Sequence, residues 1–245
     1  MSKFIRPIIG LILFLIAWEM AAINFHNGLL PTPVEVASEL FRSLFQREIY
    51  IHSLFSISRV LVGFSVAIVS GVGLGLLLGH YKLLGQYFTF IIELIRPIPP
   101  IAWIPLSILF FGLGNLSAFF IVFIGSFFPI FTNTYFGASS LPKILQNVAG
   151  TFEIRGFVFF RKILFKYSLP YIFSGLKTGL GIAWMSVIAA ELIGAQSGLG
   201  YYIQLNRLML RMDNVLLGML LIGFIGLLLS KILDKLEVFA IPWKK

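Results

Sequence analysis

Residues 97–142 read PIPPIAWIPLSILFFGLGNLSAFFIVFIGSFFPIFTNTYFGASSLP, 46 consecutive positions without one charged side chain. A helix needs about 20 apolar residues to cross hydrocarbon, so this run holds two crossings, with Gly112-Leu113-Gly114-Asn115 as the turn between them. Upstream, residues 60–79 form another uncharged run of 20 positions. The rest of the chain agrees: 58% of its 245 residues are hydrophobic, the mean hydropathy is +0.96 and 12% of residues are charged, against about 25% in soluble domains. A soluble fold is excluded. The pattern predicts an all-α polytopic membrane protein with about six spans, near residues 5–25, 57–80, 87–111, 116–137, 171–193 and 214–232.

An even number of spans puts both termini on one side. With that side cytoplasmic, twelve Lys and Arg residues lie inside and five, Arg42, Arg47, Arg59, Arg207 and Arg211, lie outside, which satisfies the positive-inside rule. The net charge of +9 is then a topology signal rather than a nucleic-acid footprint. The first apolar segment follows Lys3 and Arg6 as a signal peptide would, but no small-x-small site precedes the turn at residues 24–27, so it is read as a retained span. With no cysteine, and with His26, His52 and His80 scattered, no disulfide or metal site is expected. No repeat, linker or low-complexity tract divides residues 1–245, which are read as a single transmembrane domain.

Between the first two spans, Thr32-Pro33 opens a segment in which Val36, Leu40 and Leu44 recur every fourth residue opposite Glu35, Glu39, Arg42 and Arg47. Residues 33–48 are expected to form an amphipathic helix at the outer interface. Gly71, Gly75 and Gly79 repeat at the same interval, as do Gly175, Gly179 and Ala183, giving two flat helix faces for close backbone approach. Gly71-x-Gly73-x-Gly75 lacks the strand and the acidic residue that a nucleotide-binding loop requires.

Residues 139–168 interrupt the apolar chain with Lys143, Glu153, Arg155, Arg161, Lys162 and Lys166 among Leu145, Val148, Phe152, Phe157 and Phe160. Ser140 and Pro142 are helix-start signals, Leu145, Val148, Ala149 and Phe152 share a helical face, and Leu169-Pro170 is expected to stop the chain before the fifth span. This charged island suits docking rather than spanning. In the third span, Pro97, Pro99, Pro100 and Pro105 remove backbone donors, which is tolerated where the segment is buried in protein, as a structural kink, or lines a watery path. Glu93 and Arg96, three residues apart, are expected to share a face and pair, with Arg96 the candidate for helping an anion through. Lys177 is expected to snorkel, and Glu19 and Glu191 to be structural partners. Trp103 and Trp184 either line the path or serve as anchors and packing.

Three segments carry a resemblance: RPIPPIAWIPL at 96–106, LPYIFSGLK at 169–177, and GIAW at 181–184 through AELIG at 190–194 to SGLGY at 197–201. Together they resemble the permease subunits of ATP-binding-cassette importers, in the nitrate, sulfonate, taurine and bicarbonate branch. The resemblance implies a type I importer permease fold in the bacterial inner membrane and a permease homodimer. It also implies ATPase subunits on the cytoplasmic face and a substrate-binding protein outside. No cofactor of its own is implied, ATP being bound by the partner; the chain has no phosphate-cradling loop ending in Lys-Ser or Lys-Thr. It implies that a coupling helix in the island docks into the ATPase, with Asn147, Val148, Ala149, Phe152, Glu153, Arg155, Arg161 and Lys162 at the contact. Where the family pattern has Glu-Ala-Ala and then glycine four residues later, this chain has Asn147, Val148, Ala149 and Glu153. Replacing that glycine predicts an altered turn after the helix. Rival readings are a secondary carrier or channel, which usually shows internal repeats, and a membrane enzyme, which needs clustered acid, base or nucleophile.

Overall fold

The computed structural model describes residues 2–24, 30–43 and 45–243, which form helices and no strand. Its helices are α1 Ser2–Asn24, α2 Pro33–Ser43, α3 Arg47–His80, α4 Lys82–Ile95, α5 Ile104–Phe111, α6 Asn115–Ser139, α7 Lys143–Thr151, α8 Gly156–Phe159, α9 Phe165–Gly194, α10 Leu199–Leu208 and α11 Met212–Ala240. Of the turn expected at residues 24–27, Asn24 ends α1, while residues 25–27, like Leu44, Lys244 and Lys245, fall outside the described residues. Four stretches are long and apolar enough to cross a membrane: α3, α6, the continuous Gly156–Gly194 and α11. The segment expected as one straight span at 87–111 is instead two helical pieces bent by 86°. Pro97, Pro99 and Pro100 cause the break, since each lacks an N–H and Pro99 takes an extended conformation at ψ 142. With that pair counted as one span there are five, and the apolar α1 is a shorter sixth segment.

The centre of the molecule is α6, held between two glycine faces. On α3, a Cβ at Gly75 would stand 2.7 Å from Thr134 and one at Gly79 2.6 Å from Ala138. On α9, a Cβ at Gly175 would stand 3.0 Å from Asn133 and one at Gly179 3.0 Å from Ile130. The small-residue stripes therefore perform the packing expected of them, letting backbones approach where lipid offers no hydrophobic drive for association. Val60, Ala67, Val122, Ile130, Ala183 and Val187 are buried along these contacts.

Three expectations change. The outer helix is shorter, Pro33–Ser43, because the chain breaks before α3 starts at Arg47. Thr32 caps it reciprocally, its N–H donating to Glu35 Oε2 at 2.8 Å and its Oγ1 accepting from the Glu35 N–H at 3.3 Å. Glu39 lies on its buried face with Val36 and Ser43, not on the solvent side. Second, Leu169-Pro170 does not end a helix. The helix runs from Gly156 to Gly194 through Pro170 and contains a π-helical turn at Phe160–Leu164, with Leu164 at the end of that turn and Ser168 one turn later both buried. Third, Lys177 is not a lone cation: its Nζ lies 2.7 Å from Asp234 and 2.5 Å from Glu237 on α11, because packing brings two carboxylates within reach.

Candidate functional site

The break in the third segment opens a groove of about 220 Å³ between the proline turn, α6 and α9. Arg96, Pro99 and Pro100 form one wall; Gly125, Pro129, Thr132 and Asn133 of α6 form the floor, with Thr178 and Ile182 of α9 opposite. Three elements converge on Gly125, where a Cβ would fall 2.6 Å from Ser186 Oγ and 3.3 Å from Pro100 Cγ. Pro129, inside α6, has no N–H to donate to the Gly125 carbonyl, so the groove floor has a weakened backbone ladder. Arg96 is exposed here and makes no ion pair or side-chain hydrogen bond among the described residues, so the expected pairing with Glu93 is not formed. Glu93 does not line the groove. Trp103 faces the other way, toward Phe120 at 6.5 Å and the cluster of Ile104 and Ile121. Trp184 is buried in the core, and its Nε1 donates to the Ile222 carbonyl at 3.0 Å. Of the four residues placed along a path by sequence, Arg96 alone lines this groove.

The island is a second surface, beside the end of α3: the His80 and Phe159 rings lie 5.5 Å apart. In α7 the shared apolar face divides. Ala149 is 2% exposed and packs inward, whereas Ile144, Val148, Phe152 (72%) and Phe157 (76%) are exposed. Asn147, Glu153, Arg155, Arg161 and Lys162 are exposed around them. Large apolar side chains rimmed by basic ones are what a protein-docking surface presents. The helix ends with two crossed bonds, Glu153 N–H to Gly150 O at 3.0 Å and Ile154 N–H to Ala149 O at 2.8 Å. They form a Schellman cap, and Glu153 sits in it at φ 53. The turn is therefore the kind a glycine would make, and the expectation of an altered turn is corrected: the two capping bonds hold a non-glycine residue in the left-handed region.

A family model for the binding-protein-dependent transport system inner membrane component matches residues 71–242, from within α3 through the groove and island to the end of α11. The chain belongs to this family. It is 39% identical over 239 residues to a Methanocaldococcus jannaschii protein bearing the name of an ABC transporter permease, across 95% of this chain and 90% of that one. Over 249 residues it is 30% identical to the nitrate import permease protein of Synechocystis sp., with 98% and 90% covered. Over 243 residues it is 28% identical to the bicarbonate transport system permease protein of Synechococcus elongatus, with 94% and 87% covered. The protein is thus a multi-pass inner-membrane permease with the type I importer fold, a transport subunit rather than an enzyme, of a family whose permeases in general work with a binding protein and an ATPase.

In the permease, Glu153→Gly is expected to stabilise the fold by about 1 kcal/mol, the cost of holding a side chain at positive φ. Thermal unfolding in detergent should show a raised midpoint. An unchanged or lowered midpoint would mean that the Glu153 side chain repays its strain elsewhere.

At the opposite end from the island, the permease contains a polar centre that the sequence reading missed. Arg59, placed among outer-loop cations by the charge count, is 2% exposed and lies 2.8 Å from Glu191, itself fully buried. Arg59 Nε donates to Asn115 Oδ1 at 2.9 Å and Nη2 to Ser197 Oγ at 2.7 Å. Glu191 also accepts from Ser56 Oγ and from the Gly200 N–H at 2.9 Å. His52 Nδ1 accepts from the Gly198 N–H at 3.0 Å. The structural role expected of Glu191 is thereby given its partners: the pair pins the 196–200 turn against α3, α6 and α9. Gly198 is required there, at φ 106 with its Cα against the Glu191 carboxylate. One signal for Arg59 was available, a lone charge directly before the uncharged run that starts at residue 60.

Proposed function

We propose that this permease passes a small anion, of the class of nitrate, bicarbonate or a sulfonate, across the cytoplasmic membrane as one membrane domain of a homodimer. Arg96 carries the reading. It is a cation with no ion-pair or side-chain hydrogen-bond partner among the described residues, in a groove walled by helices long and apolar enough to cross a membrane, where an uncompensated charge is costly and an anionic solute offsets it. The nitrate and bicarbonate relatives support the same class. ATPase subunits, which bind the ATP, dock on the exposed face of Val148 and Phe152 with Asn147, Glu153, Arg155, Arg161 and Lys162 around it, while Ala149 supports that face from within. Both termini lie in the cytoplasm with the island, and the binding protein delivers solute at the Arg59–Glu191 end. Alternation between outward and inward openings follows from movement of the docked ATPase, transmitted through the island to α6 and α9.

Arg96→Gln should leave assembly with the ATPase intact and lower anion uptake at least tenfold, since one uncompensated charge within a membrane is worth several kcal/mol. Arg96→Lys, which keeps the charge and loses the planar fork, should be intermediate. Uptake by proteoliposomes of the full complex measures both. Wild-type flux in an assembled Arg96→Gln complex would overturn the role.

A further inference from the structure

The groove holds more polar chemistry than Arg96. Thr132 and Asn133 of α6 and Thr178 of α9 line it too, in walls otherwise made of glycine, proline and apolar side chains. What these groups leave unused defines a ligand. Thr178 Oγ1 donates its proton to the Ser174 carbonyl at 3.1 Å, so it offers the groove an acceptor. Asn133 Nδ2 donates one proton to the Pro129 carbonyl at 2.9 Å, leaving one N–H. The Thr132 hydroxyl makes no side-chain hydrogen bond among the described residues. A guanidinium, a hydroxyl and an amide N–H are therefore gathered as donors that lack acceptors among the described residues, with the Thr178 oxygen and the Gly125 carbonyl as acceptors. Asn133 reaches this wall because α9 presents Gly175 to it, where a Cβ would stand 3.0 Å from Asn133 Cβ.

The geometry points to a binding site for a small oxyanion in this groove, with Thr132 and Asn133 as specificity-determining residues beside Arg96; the inference rests on the anion reading above. An oxyanion presents several lone pairs to the three donors, and apolar walls strengthen each charge-assisted bond. A neutral solute would leave the guanidinium uncompensated. Bicarbonate also carries an O–H that nitrate lacks, and the Thr178 oxygen and Gly125 carbonyl can accept it. Thr178→Val should accordingly weaken bicarbonate and spare nitrate.

The chain has no cysteine, so Ile98→Cys, on the groove wall but outside the polar set, introduces its sole thiol. In the assembled permease–ATPase complex, sodium nitrate and sodium bicarbonate should each slow labelling of Ile98→Cys by a small thiosulfonate reagent. Adding Thr132→Val, which is isosteric, should raise the nitrate concentration for half-protection about tenfold, as expected for loss of a hydrogen bond to a charged ligand. Thr132→Ser should restore it, and Asn133→Leu should act in the same direction as Thr132→Val. Uptake driven by the binding protein is followed on the same preparations. Intact anion uptake with no protection, or with protection unchanged by Thr132→Val and Asn133→Leu, overturns the site and leaves the anion reading standing. Neither uptake nor protection in the otherwise unsubstituted complex overturns both.

Discussion

Glu191→Ala is expected to destabilise the permease by about 3–5 kcal/mol, enough to unfold much of it at growth temperature, because it leaves the Arg59 guanidinium buried without its counter-charge. It also removes the acceptor for Ser56 Oγ and for the Gly200 N–H, so the 196–200 turn loses its anchor along with the charge. Glu191→Gln should cost less, since an amide oxygen still accepts from the turn. Arg59→Met combined with Glu191→Gln should recover part of the loss relative to Glu191→Ala, as removing both charges avoids the isolated one. Folded yield and unfolding midpoint in detergent read all three variants. Equal midpoints for wild type and Glu191→Ala would mean that water or lipid headgroups reach Arg59, and that the pair is not the buried clamp described. Gly198→Ala tests the same turn from its other side, since a methyl at φ 106 would run into the carboxylate.

The second large effect belongs to the island. Phe152→Asp should abolish co-purification of the ATPase while leaving the permease folded, because Phe152 is exposed on this subunit and a charge there costs nothing until a partner covers it. Loss of one aromatic anchor at an interface is worth about 2 kcal/mol or more, a thirtyfold or greater fall in affinity. Ala149→Asp should behave differently. Ala149 is buried against its own subunit, so an unpaired carboxylate there should lower the yield of folded permease. The two variants separate a docking defect from a folding defect. Full co-purification and transport by Phe152→Asp would make the island a topology loop with no docking role.

Much of the fold was legible because its causes are local. Uncharged runs of about twenty residues mark crossings, four-residue spacing of Gly71, Gly75 and Gly79 marks a packing face, and clustered prolines mark the break near Arg96. The motifs at 96–106 and 169–201 were sufficient for the family. Each of these signals lies within one continuous stretch of chain, where local backbone geometry sets which residues are neighbours.

What tertiary structure decided are the partners. Arg59 and Glu191 are 132 residues apart, and no periodicity announces that α3 and α9 meet at that height; the distance between them depends on how closely Gly63, Gly71 and Gly179 let both helices approach α6. Lys177 found Asp234 and Glu237 for the same reason. Ala149 and Val148 are adjacent in sequence and look alike in a helical pattern, yet one packs inward and the other outward, because adjacent residues are turned by about 100° and the rest of the subunit covers one direction. Even Glu153, whose identity argued against a left-handed turn, is held at φ 53 by two capping bonds. Sequence determined which segments are helices, where they break and which faces are small; the angle at which they cross determined which charges are paired and which, like Arg96, have no partner among the described residues.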